Sequence, residues 1–127
     1  MQEKHLFEYA VIRVVPCVAR EEFLNVGVIL FCASQGFLQT AYKLNEERLR
    51  VFSGELDVQE LEQRLQAFVK ICAGRREGGV IGQQAIASRF RWLTSARSTV
   101  VQLSAIHPGL CEDPQATLQR LFSQLVR

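Results

Sequence analysis

Arg89, Arg91, Arg97, Ser98 and Thr99 fall within eleven positions of one another. Guanidinium forks beside hydroxyls are the groups that take phosphate or carboxylate with paired hydrogen bonds, so this segment is the candidate anion site. Arginines on a solvated face, paired with acids elsewhere, produce the same pattern with no ligand. Phe90 and Trp92 flank Arg91 and offer a stacking platform for single-stranded nucleic acid, although alternating aromatics fill a core equally well. A net charge of +2 is small for a dedicated polyanion binder, so nucleic acid is not the favoured partner. His107, beside Pro108-Gly109 in an expected turn, is the candidate acid or base, with a structural turn histidine as its rival. No Ser or Cys marks itself as a nucleophile for it, and no catalytic residue is assigned.

The remaining signals exclude more than they assign. Cys17, Cys32, Cys72 and Cys111 stand 15, 40 and 39 positions apart, which leaves neither a Cys-x-x-Cys pair nor a zinc-spaced Cys/His cluster. Reduced thiols in a reducing compartment, with no metal and no cofactor, are expected. The glycine-rich stretch at 74–84, GRREGGVIGQQ, lacks the spacing and the strand-to-helix setting of a nucleotide-cradling loop and is expected to be mobile. Charge is uneven: residues 1–74 hold 8 Lys/Arg against 10 Asp/Glu, and residues 75–127 hold 7 against 3, all seven cations being arginine. The longest apolar run, Val26 to Ala33, is eight residues, far below the roughly 18 that a membrane helix requires. No export signal precedes Leu6, so a cytoplasmic, membrane-free protein is expected.

The elements that must position these residues follow from local pattern. LFEYAVIRVV from Leu6 to Val15 reads as a strand closed by Pro16, with Arg13 needing a partner or a wet face. FLNVGVILFCA reads as a central strand buried on both sides, with Asn25 and Gly27 at its opening, where glycine permits a bulge or the close approach of a ligand. Ser34-Gln35-Gly36 turns the chain into GFLQTAYKL as a hairpin. Asn45 caps a short helix through Arg50, and Asp57, Glu60 and Gly74 delimit a longer amphipathic one. Asp113 and Pro114 start a closing helix that buries Leu118, Leu121, Phe122 and Leu125. Arg89 to Trp92, with its period of two, suits an extended segment, and Thr99 to Ala105 a fourth strand.

Two stretches, YAVIRVVPCVAREEFLNVGVILFC from Tyr9 and RFRWLTSARSTVVQLSAIHPGLCEDPQATLQRLF from Arg89, resemble the bacterial domain-of-unknown-function family 3037. NVGV at Asn25 to Val28, RFRWLT at Arg89 to Thr94, RST at Arg97 to Thr99, and HPGL with EDP at His107 to Pro114 carry the likeness. The resemblance implies a small bacterial cytosolic protein with no established activity, whose relatives often lie beside genes for kinase-like toxin-type proteins. That neighbourhood favours a protein partner.

The expectation is one α+β domain over 1–127: an antiparallel sheet of three to four strands with the helices at 57–73 and 113–126 packed on one face. The opposite face, if apolar, would then be open to a partner or to a second copy in a homodimer. The leading function is a non-catalytic protein-interaction or accessory module. The rival is a small enzyme or binder acting on a phosphorylated or nucleic-acid ligand through Arg89, Arg91, Arg97 and His107.

Overall fold

The computed structural model describes residues 3–74, 76–95 and 99–126. Its elements run β1 (His5–Val14), β2 (Leu24–Cys32), β3 (Phe37–Tyr42), α1 (Glu46–Phe52), α2 (Val58–Ala73), α3 (Gly79–Gly82), α4 (Ile86–Thr94), β4 (Val101–Leu103), β5 (His107–Cys111) and α5 (Pro114–Leu125). The class is α+β, and the sheet is antiparallel with five strands rather than the expected three to four. Its order is β3-β2-β1-β4, with β5 pairing β1 as well. The extra strand arises because β1 is ten residues long and one neighbour does not cover its edge. Residues 12–14 pair with β4 and residues 5–9 with β5. Between them Ser104 steps out of register, its hydroxyl accepting from the Val11 N–H at 2.8 Å while its own N–H donates to the Val11 carbonyl at 2.8 Å.

Helix boundaries follow the local chemistry. The Asn45 side chain accepts from the Arg48 N–H, Asp57 from the Glu60 N–H, and Asp113 from the Gln115 and Ala116 N–H groups, each satisfying donors that a first helical turn leaves unpaired. Gly74, at φ 71, ends α2 in the left-handed conformation that glycine adopts without penalty. The stretch after it is not a featureless loop among its described residues: Arg76–Gly78 form a 3-10 turn that leads into α3.

The two main helices do not share a face. Ala10, Ile12 and Val14 of β1 join Ile29, Phe31 and Leu38 in a core closed by Leu61, Leu65 and Phe68 of α2 and by Phe90 and Leu93 of α4. Phe7 of β1 and Val28, Leu30 and Cys32 of β2 form a second core under Leu118 and Leu121 of α5. Alternation along a strand assigns successive side chains to opposite faces, so α2 and α4 cover one side and α5 the other. Each strand of the β1–β2 pair therefore carries two apolar faces. The opposite face expected to be open is the one that α5 covers.

Candidate functional site

Arg89 does not lie on an extended segment. Ile86, Phe90 and Leu93 recur at helical spacing, α4 turns them to the first core, and Phe90 stacks on Phe31 with centroids 5.1 Å apart. That winding carries Arg89 to the C-terminal end of α2. Its Nη1 donates to the carbonyls of Ile71 (3.0 Å) and Cys72 (2.8 Å), and its Nε to the carbonyl of Gln84 (3.0 Å). A cation that supplies donors to the last carbonyls of a helix satisfies groups no further turn can reach and opposes the dipole there. The guanidinium also fills the space above Gly74, where an added Cβ would stand 2.8 Å from Nη1. Arg89 thus joins α2, α4 and the connection between them.

The described members of the rest of the segment, Arg91 and Thr99, do not share this role. Arg91 is exposed on α4, where its carbonyl accepts from the Thr94 hydroxyl at 3.5 Å and its guanidinium forms no ion pair with the described residues. Thr99 spends its hydroxyl on the Val101 carbonyl at 2.8 Å. Arg97 and Ser98 lie outside the described residues. Trp92 is exposed on α4, so Phe90 and Trp92 divide between core and surface instead of forming one stacking platform.

His107 is not in a turn; it opens β5 opposite Tyr9, and the two rings lie 5.2 Å apart. Tyr9 packs with the α5 core, which puts His107 on that face, whereas Arg89 and Arg91 sit on the helix that closes the other. The sheet separates them. Pro108 is accommodated because β5 is an edge strand, and Gly109 because its neighbour's ring occupies the place of a side chain: an added Cβ would meet the Phe7 ring at 2.5 Å.

Of the thiols, Cys32, Cys72 and Cys111 are buried and Cys17 is exposed, all unpaired. Burial pushes the Cys72 thiol up to about 11, outweighing the Thr40 hydroxyl and the Arg89 charge that pull it down, and burial raises Cys111 as well. Both stay protonated near neutrality, which withholds the thiolate that nucleophilic chemistry needs. Tyr42 is likewise pushed up to about 12, first by burial and then by its 2.8 Å hydrogen bond to Glu62. Among the described residues no group of three or more His, Cys, Asp or Glu is placed to hold a metal, and no helix is long and apolar enough to cross a membrane.

One region at the end of the sheet was not foreseen. Leu6 and Leu110 are register partners on β1 and β5, and they are 62% and 64% exposed. By alternation they point to the same face as Ala10 and Ile12. Next along that face is Glu8, whose neighbours are Phe31 on β2 and Pro108 on β5. Phe31 lies beneath Phe90, and beyond it no described residue buries Leu6 or Leu110. The signal available in the sequence was Leu6 itself, in phase with the core residues of its strand, while Leu110 was hidden behind a Pro-Gly pair that reads as a turn.

No curated protein and no solved structure matches the chain. A family model described as a protein of unknown function, DUF3037, matches residues 9–126, and the chain belongs to that family.

Proposed function

We propose that this domain is a non-catalytic protein-interaction module whose partner, another protein or a second copy of the chain, docks over the bare β1–β5 end of the sheet. The observation that carries this reading is the Leu6–Leu110 pair, two large apolar side chains facing solvent side by side where the helical cover stops. Burying a leucine contributes about 1.5–3 kcal/mol, so covering both is a substantial share of the free energy of a modest complex. Contiguous exposed apolar surface on a folded domain marks interaction sites. Pro108 lacks an N–H and interrupts the outer edge of β5, which disfavours a partner that continues the sheet and favours one that sits on its face.

The reading through a phosphorylated or nucleic-acid ligand has less support. Arg89 is engaged by three carbonyls, and His107 lies across the sheet from it. Capture of the tagged chain from its native cells, read by mass spectrometry and by nucleic-acid absorbance, tests the proposal. A stoichiometric protein companion, or a dimer, that disappears in the Leu6→Asp/Leu110→Asp variant is expected. A chain that returns alone and monomeric, or with nucleic acid, contradicts it.

A further inference from the structure

We infer that the cleft between α1, the β2–β3 end of the sheet and α5 is a binding site for a small organic anion, an apolar molecule carrying one carboxylate. The cleft has a volume of about 400 Å³, within the range of small-molecule sites. Its apolar lining comes from Leu24, Leu49 and Phe122, and its polar lining includes Lys43, Arg48 and Ser123. An adjoining groove shares Leu24, Asn45 and Arg48 with it and adds Glu47.

Charge selects the ligand class. Every ion pair among the described residues is formed by Arg20, Arg50 or Arg64, so Lys43 and Arg48 line the cleft with no carboxylate partner among those residues. Beside them Asn25 donates to the Leu125 carbonyl at 3.1 Å, and Arg48 Nη1 to the Val126 carbonyl at 3.4 Å. These two side chains hold the last turn of α5 and have a structural duty that accounts for their presence. Lys43 has none: only its backbone N–H is used, donating to the Val26 carbonyl at 2.8 Å. An ammonium lining a cleft of mixed polar and apolar walls, beside a guanidinium with donors to spare, recognises an anionic head on an apolar body. The site lies apart from the Leu6–Leu110 surface and does not depend on it.

The probe is 4-phenylbutyrate, compared with its uncharged amide, titrated into the full chain and followed by resonance shifts in the protein. The acid is expected to saturate with a Kd of about millimolar or tighter, and the amide to bind about tenfold more weakly. Lys43→Met retains the aliphatic stem and removes the charge at an exposed position, so it is expected to leave the fold intact and weaken the acid about fivefold or more without changing the amide. Acid and amide binding alike, unchanged acid affinity in Lys43→Met, or no saturable shift with the acid would each overturn the inference.

Discussion

One face of the sheet is closed at one end and bare at the other. At the closed end Phe31 lies under Phe90, and the polar groups around that contact are satisfied: Arg89 takes up the carbonyls of Ile71 and Cys72, and Thr40 meets the Cys72 thiol. At the bare end, beyond Glu8, Leu6 and Leu110 stand exposed side by side on the same face, with no helix among the described residues above them. The difference shows what Arg89 does. Arg89 ties α4 to the end of α2, and away from the Phe31–Phe90 contact the same face carries Leu6 and Leu110 exposed among the described residues.

The largest effect expected on stability comes from Phe90→Ala. Phe90 is 2% exposed, and removing a buried aromatic ring costs about 3–5 kcal/mol, to be read by denaturant unfolding. Arg89→Ala should follow with a loss of about 2 kcal/mol, since two carbonyls at the end of α2 and one at Gln84 lose their donor. Arg89→Lys should recover little of it, because a single ammonium does not span the same three acceptors. A variant of Arg89 that leaves stability unchanged would break the contrast and return the guanidinium to the pool of ligand-binding groups.

Alkaline pH probes the same closed end. Cys72 ionises at 9.0 when unburied and at about 11 in the fold, and Tyr42 moves from 10.0 to about 12. A raised folded-state value means that their contribution is complete below the unfolded value and is lost as pH climbs through the folded one. Thermal midpoints should therefore fall from about pH 9 upward, and Cys72→Ala should flatten the first part of that fall. The smallest stability effect belongs to the bare end: Leu6→Asp or Leu110→Asp should change unfolding free energy by no more than about 0.5 kcal/mol. A loss of several times that amount would show that the pair is packed and not available to a partner.

What the sequence revealed, and what it concealed, divides along local and non-local physics. Asn45, Asp57, Gly74 and Asp113 were legible because a cap is decided within one helical turn, and each sits where its side chain or backbone conformation placed it. Arg89 to Trp92 suits an extended segment because four residues of alternating charge and ring satisfy a period of two; Ile86 and Leu93, just outside that window, carry the helical period. β5 was missed because His107-Pro108-Gly109 has turn chemistry, and only pairing with Tyr9, Glu8 and Phe7 makes it a strand. Which helix covers which face was not legible at all. Both α2 and α5 are amphipathic, and the choice between faces depends on strands far away in sequence. The candidate anion site rests on closeness along the chain, and what the fold adds is non-local: Arg89 and Thr99 give their donors to backbone carbonyls, while Arg97 and Ser98 lie outside the described residues.

The most direct measurement is light scattering of the purified chain, alone and with its captured companion, for wild type and for Leu6→Asp/Leu110→Asp. The wild type should form a defined dimer or a one-to-one complex, and the double variant, still folded, should remain monomeric and unbound. Identical assembly by both proteins would show that the bare end of the sheet is not where this domain meets its partner.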